Sequence, residues 1–257
     1  MVMEALRVEG LSKQFGGVRA VNNVSFSVSV GERLAIIGPN GAGKTTLLNL
    51  INGQLPVTTG RIYFFGQDVT TLTIHQRANL GQARTFQIIS LLQRLTVFDN
   101  TLLALHGTKS SRFSMFRPVE DFREVFNQAR DFLKALELWG KKDELIKNLA
   151  YGEQRRLEIG LGIAVRPKVL LLDEASAGLS REESFDTIAV IKNLGGDITV
   201  LLVDHDMEMV FEVAERIIVL HNGQIIADGA PEKIQADVKV KEIYMGFEEH
   251  IDYAGVG

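Results

Sequence analysis

The segment Gly38-Pro39-Asn40-Gly41-Ala42-Gly43-Lys44-Thr45 constrains this chain more than any other. It fits G-x-x-x-x-G-K-[ST], with a short apolar run (33–37) before it and helical spacing (43–51) after it. The glycines let backbone N–H groups turn inward around phosphate oxygens, and the following helix points its positive end at the same anion. Lys44 is placed to reach β and γ phosphates and the Thr45 hydroxyl to bind Mg²⁺, with Thr46 closing the nucleotide-binding run 38–46. A glycine-rich turn before a helix is the plain alternative. The four fixed positions match by chance in roughly one chain in a hundred of this length, so the run points to a nucleotide site.

A second pattern belongs with the first. Val169-Leu170-Leu171-Leu172 reads as a buried strand ending in Asp173 and Glu174. Ligands of parallel sheets sit at the carboxyl ends of strands, so Asp173 emerges beside the phosphate loop and can hold Mg²⁺, directly or through water. Glu174 is expected to face the other way on the pleat, placed to polarise an attacking water as general base. An acid pair can also simply end a strand at the surface. Paired with the phosphate loop, it reads as the other half of a P-loop ATPase site.

Around these motifs the chain alternates. Segments 4–8 and 24–30 read as half-buried strands, and 61–65 as a strand closed by Gly66-Gln67-Asp68. The middle is helical, at 98–105 and 119–138, with a Ser-, Lys- and Arg-containing loop at 107–118 between. Then follow a strand at 168–172, a helix at 181–194, a strand at 199–203 and a helix at 207–214. A strand pair at 217–220 and 224–227 is joined by Asn222-Gly223, a strong hairpin signal. Strands alternating with helices imply an α/β fold with a mostly parallel sheet covered on both faces. The expected division is a catalytic α/β core at 1–87 and 157–245, an inserted helical subdomain at 88–156, and a fraying tail at 246–257.

Composition excludes several classes. Of the 257 residues 46% are hydrophobic and 23% charged, ordinary for a globular chain with a sizeable core. There is no cysteine, hence no disulfide framework, thiolate nucleophile or cysteine-based zinc site. The net charge of -4 and the lack of a basic run disfavour nucleic acid as partner. No apolar stretch approaches the ~20 residues that cross a bilayer, and no signal-peptide pattern opens the chain. Work at a membrane would therefore need spans from another chain.

At Leu149-Ala150-Tyr151-Gly152-Glu153-Gln154-Arg155-Arg156-Leu157-Glu158-Ile159 the chain resembles the signature motif of ABC ATPases, L-S-G-G-Q. The remaining motifs of that family follow in order. Phe15 resembles the A-loop aromatic that stacks on adenine. Gln87, in Arg84-Thr85-Phe86-Gln87, resembles the Q-loop glutamine. Residues 176–180 resemble the D-loop, and His205, in Val203-Asp204-His205-Asp206, the switch histidine. The Arg-Thr-Phe-Gln and Tyr-Gly-Glu-Gln-Arg-Arg-Leu-Glu-Ile stretches, with Glu242-Ile243-Tyr244-Met245-Gly246, are similar to ATPases of branched-chain amino-acid ABC importers. The loop at 107–118 suggests the longer of their two ATPases; urea and amide importers are close relatives.

The resemblance implies a RecA-like P-loop core with an N-terminal antiparallel β part, and ATP hydrolysis that powers solute import. It implies ATP and Mg²⁺ as cofactors, with Gln87 on the metal or the lytic water, Glu174 as base and His205 on the γ-phosphate. Ala150, Tyr151, Gly152 and Glu153 would act in trans on ATP held by a second subunit, a sister ATPase or another copy, in a head-to-tail dimer. Two transmembrane permease subunits and, indirectly, an extracytoplasmic solute-binding protein complete the implied partners. The implied location is the cytoplasmic face of the membrane. A soluble ABC ATPase acting on nucleic acid or ribosomes is the reading from another class, and a weakly hydrolysing regulatory subunit a third.

Departures from the family pattern are specific. Ala150 stands where Ser is usual, Tyr151 where the first Gly is, and Glu153 where Gln is; Ala175 replaces Pro and Ser180 replaces Asp. Ser180 and Glu183 also form S-x-x-E, so a helix-capping reading competes for Ser180. A core aromatic is the plain alternative for Phe15 and a structural role that for His205; the Gly16-Gly17 pair and the strand end before His205 favour the nucleotide roles. His75, His106, His221 and His250 lack metal-ligand spacing. Lys109, Arg112 and Arg117 read as a solvated face.

Overall fold

The structure, a computed structural model, describes residues 3–84, 91–107, 119–164, 166–192 and 195–248. It opens with β1 (Glu4–Phe15), β2 (Val18–Ser29), β3 (Arg33–Ile37), α1 (Lys44–Asn52), β4 (Thr59–Phe64), β5 (Gln67–Asp68), α2 (Ile74–Asn79) and β6 (Gln82–Arg84). Helices α3 (Val97–Gly107), α4 (Val119–Ala135) and α5 (Tyr151–Ala164) follow. Alternation resumes with β7 (Val169–Asp173), α6 (Arg181–Lys192), β8 (Thr199–Val203), α7 (Met207–Val213), β9 (Arg216–His221) and β10 (Gln224–Gly229). Helices α8 (Pro231–Ala236) and α9 (Val238–Glu248) close the described chain.

Two compact units divide these elements: residues 1–82, 168–176 and 195–257 form one, residues 83–167 and 177–194 the other. The division differs from the expected breaks at 87/88 and 156/157. A cut after residue 156 would sever α5, whose continuous backbone hydrogen bonds keep it in one body, and α6 packs against α5 rather than staying with the core. The expected tail beginning at Gly246 also needs correction, because α9 continues through Gly246 to Glu248.

The first unit holds two sheets. One is antiparallel, in the order β2-β1-β4-β5. The other has the order β10-β9-β3-β8-β7-β6, with β9, β3, β8 and β7 mutually parallel and β10 antiparallel at one edge. Strands β3, β7 and β8 lack polar alternation because both faces are covered, and Leu34 to Ile37, Leu170 to Leu172 and Val200 to Val203 are all buried. The β9–β10 turn, Asn222 and Gly223, takes φ of 49° and 74°, the doubly positive geometry its sequence predicts.

Helix α1 buries Leu47, Leu48, Leu50 and Ile51. Its C-terminal carbonyls receive a cation that local pattern did not reveal. Arg77, on α2, is 1% exposed and donates to Leu50 O and Ile51 O at 2.9 and 2.6 Å, and to Leu72 O and Thr70 O at 3.0 Å each. Burial pushes its guanidinium down to about 10, partly offset by Asp68, so it stays charged at neutral pH and complements the negative end of α1. A capping box between Thr73 and Gln76 starts the short helix that delivers it.

In the second unit, Val97, Leu133, Leu138, Ile146, Leu157 and Leu161 form a core. Phe98, Phe126 and Trp139 pack tilted or edge to face beside it with ring centroids 5.1 to 6.3 Å apart. Arg155 lies 3.5 Å from Glu158 within α5. Burial raises the Glu158 carboxyl to about 7, against the opposing pull of Arg155.

Arg77→Met keeps the apolar stem but strands four carbonyls, and is expected to lose about 3–5 kcal/mol in urea denaturation. Glu158 is raised above its ordinary value of 4.5. Its contribution is therefore fully present below about 4.5 and is lost as pH rises through about 7. Glu158→Gln should flatten that slope and exceed wild-type stability by about 1–2 kcal/mol at pH 8. Denaturation midpoints compared at pH 5 and pH 8 test this.

Candidate functional site

The phosphate loop leaves β3 at Ile37 and re-enters regular structure at Lys44, as the motif requires. Its conformation is held from outside as well as within. Gly223 N–H donates to Ala42 O at 3.0 Å, and Ala42 N–H to Pro39 O at 3.1 Å. Gly43 has φ of 101°, and a Cβ there would lie 2.3 Å from Ala20 O, so only glycine fits between loop and β2. The N–H groups that open α1 are left facing outward, at the positive end of the helix.

Lys44 Nζ donates to Gly38 O and Pro39 O at 2.6 and 3.0 Å, which folds the ammonium over the loop. Burial lowers its pKa, while the charges of Glu174 and Asp173 act to raise it. Both acids therefore sense Lys44 electrostatically. This corrects the expectation that Glu174 turns away along the pleat. Strand β7 ends at Asp173, and Glu174 adopts a left-handed backbone with φ of 50°, so strand alternation does not reach it. Its N–H donates to Val203 O at 2.7 Å.

A cleft of about 240 Å³ is lined by Ala20, residues 40–46, Glu174 and residues 203–205. It brings Lys44, Thr45, Thr46 and Glu174 together with His205, whose side chain is 68% exposed and has Nδ1 3.7 Å from Asp204 Oδ1. Asp204, beside it, is 1% exposed and accepts hydrogen bonds from Ser176, His205 and Asp206. Sequence reasoning quoted Asp204 only as part of a motif; an acid directly after the four apolar strand residues 200–203 was the available signal. Asp206 N-caps α7, accepting from Glu208 N–H at 2.9 Å and Met209 N–H at 3.2 Å.

Phe15 ends β1, is 46% exposed, and has Lys13 Nζ 5.1 Å from its ring centroid. It is not part of the core, and it does not line the cleft. Gln87 lies outside the described residues, as do Lys109, Arg112 and Arg117. A divalent cation would be held by oxygens such as the Thr45 hydroxyl, which lines the cleft, and the Asp173 carboxylate at the end of β7. Hard oxygens of this kind suit Mg²⁺, which takes one or two protein ligands and fills its shell with phosphate and water oxygens. Among the described residues no group of three or more His, Cys, Asp or Glu could hold a metal without such help.

Ala150, Tyr151, Gly152 and Glu153 belong to the second unit, at the start of α5. Glu153 reaches back to accept from Ala150 N–H at 3.1 Å, and Lys141 Nζ lies 2.7 Å from its carboxylate. The charge that replaces the usual Gln is thus used as a cap and neutralised locally. Gly152 N–H donates to the Glu183 carboxylate. A Cβ on Gly152 would lie 2.0 Å from Glu183 Oε1. Tyr151 is exposed and its ring sits against Gly178. Ser180 and Glu183 form the reciprocal cap, with Ser180 N–H to Glu183 at 2.8 Å and Glu183 N–H to Ser180 Oγ at 3.3 Å.

Gly43→Ala is expected to abolish nucleotide binding, since it adds a clash with Ala20 O to about 1–2 kcal/mol of left-handed strain. Titration with a fluorescent ATP analogue checks it.

Comparison with known proteins narrows what such a cleft is used for. The family profile described as "ABC transporter" matches residues 21–177. The high-affinity branched-chain amino acid transport ATP-binding protein BraF of Pseudomonas aeruginosa is 38% identical over 250 residues, 94% of this chain and 97% of that protein. The corresponding LivG of Escherichia coli K12 is 38% identical over 253 residues, 96% of this chain and 99% of that protein. Among solved structures, the ADP conformation of an ATP-binding cassette of an ABC transporter superposes with a TM-score of 0.81 at 34% identity, covering 95% of this chain and 99% of that one. A dimeric cassette in a post-hydrolysis state, bound to ADP and Pi, reaches 0.73 at 25% identity, covering 88% of this chain and 98% of that one.

Proposed function

The chain belongs to the ABC transporter family, and on that premise we propose that it is the ATP-binding and ATP-hydrolysing subunit of an importer of branched-chain amino acids. The observation that carries the reading is a single cleft at the carboxyl edge of a parallel sheet, lined by Lys44, Glu174 and His205. The names of the full-length relatives support the class of solute.

In this reading the nucleotide lays its phosphates along the N–H groups of residues 40–46, where the start of α1 is positive. Lys44 breaks its bonds to the loop carbonyls and takes the β and γ phosphates as a point charge. Thr45 and Asp173 would hold Mg²⁺, which would supply positive charge against the phosphates. Glu174 orients the attacking water and accepts its proton as the new P–O bond forms and the bond to the ADP oxygen breaks. His205 donates to a γ-phosphate oxygen and holds that group in line. Phe15 offers its ring to adenine from the β1–β2 turn, and Gln87 completes the metal and water contacts.

Ala150, Tyr151, Gly152 and Glu153 address the γ-phosphate held by a second ATPase subunit, a sister chain or another copy, in a head-to-tail pair. That a cassette 25% identical to this chain is dimeric with ADP and Pi bound supports pairing of two such subunits. Among the described residues no helix is long and apolar enough to cross a membrane. Two membrane-spanning permease subunits provide the path in this reading, fed by an extracytoplasmic solute-binding protein, with this subunit on the cytoplasmic face.

Glu174→Gln is expected to cut ATP hydrolysis by about 100-fold or more while ATP affinity changes less than about threefold. Wild-type turnover in that variant would remove Glu174 as the base. The transport reading is tested by affinity capture from detergent-solubilised host membranes. Two multi-span proteins and a second ATPase are the expected companions; ribosomes or nucleic acid in their place would overturn it.

A further inference from the structure

Asp204 is a buried carboxylate whose nearest basic group is the His205 ring, with Nδ1 3.7 Å from Oδ1. Its side chain is 0% exposed, and among the described residues no lysine or arginine pairs with it. What it has instead are donors from two separate chain segments. Oδ2 accepts from Ser176 N–H at 2.9 Å, and Oδ1 from Ser176 Oγ at 2.5 Å. Oδ1 also accepts from His205 N–H at 2.8 Å and Asp206 N–H at 3.0 Å. Three backbone N–H groups and a hydroxyl satisfy an ionised carboxylate well. Removing them is costly, because the charge would then be buried and unpaired.

The segments so joined are the two that leave the adjacent parallel strands β7 and β8. Asp173 and Val203 pair in register at their ends. Beyond that pair the ladder stops, yet Glu174 must hold a left-handed backbone with φ of 50°. For a residue with a Cβ this conformation costs on the order of 1–2 kcal/mol and persists only if its surroundings enforce it. Two anchors flank the strained residue: its own N–H on Val203 O at 2.7 Å, and Ser176 on Asp204 two residues later. The second anchor also holds the backbone of His205.

We infer that Asp204 is a positioning residue that locks the loop carrying Glu174 to the loop carrying His205, so that the general base and the γ-phosphate ligand keep a fixed spacing. This rests on the roles given above to Glu174 and His205. Asp204 borders the cleft with its side chain buried, and the clamp acts through the two residues it ties.

The test uses the full-length chain, assayed for ATPase activity with its co-purified partners. Asp204→Asn keeps the size but sets an NH₂ group against N–H donors. It is expected to lower kcat by about 10- to 100-fold with KM for ATP and ATP affinity within about twofold, the pattern of misplaced groups rather than lost binding. Ser176→Ala removes one donor at little risk to folding and should lower kcat by about threefold or more. Because both act through one contact, the double variant should be no slower than Asp204→Asn alone. If either single variant turns over at the wild-type rate, or if kcat loss is matched by loss of ATP affinity, or if the two losses multiply, the clamp is not what positions the groups. Should Asp204→Asn not fold, Ser176→Ala carries the test by the same kcat-against-KM criterion. Glu174→Gln separates the two levels: an inactive Glu174→Gln beside a fully active Asp204→Asn refutes this inference alone, whereas an active Glu174→Gln removes the reading on which it stands.

Discussion

Parallel pairing of β3, β8 and β7 is the interaction on which the rest depends. Ile36 pairs with Val203, and Val203 with Asp173 across the other edge of β8, so three strands end level with one another. Main-chain hydrogen bonds between strands buried on both faces hold that alignment. The phosphate loop, Glu174 and His205 each begin within two residues of those strand ends. Chemistry is thus gathered by the ladder, and the local residues need only turn inward from it.

Charge is then used to finish what the ladder starts. Arg77 closes the negative end of α1 while the positive end stays available to an anion. In the second unit, Glu153 and Glu183 both bond N–H groups at the start of α5, and Lys141 balances the first of them. Two of the residues that depart from the family pattern serve as capping groups: Glu153 caps its own helix, and Ser180 pairs with Glu183.

What could be read from sequence was what local chemistry dictates. Asn222-Gly223 predicts a tight hairpin because both residues accept positive φ, and the hairpin is there. Gly43 and Lys44 mark the loop-to-helix junction for the same kind of reason. Features made by distant partners stayed hidden. Arg77 looks like an ordinary surface cation until its acceptors at Leu50 and Ile51, 26–27 residues earlier, are known. Asp204 and Ser176 are 28 residues apart. Glu174 was misjudged through a period-2 argument applied one residue beyond the strand that justified it. Phe15 ends β1 half exposed, outside the core, so its sequence neighbours alone did not decide between packing and a ligand-facing role.

The left-handed backbone at Glu174 sets the chemistry at odds with conformational preference. Glycine, and to a lesser degree asparagine or aspartate, would sit at φ of 50° with less strain. A population of variants screened for thermal tolerance alone should therefore drift toward those residues at position 174 and away from glutamate. Retaining glutamate there needs a selection that sees turnover, and robustness gained by relaxing this one residue would be gained at the expense of the reaction.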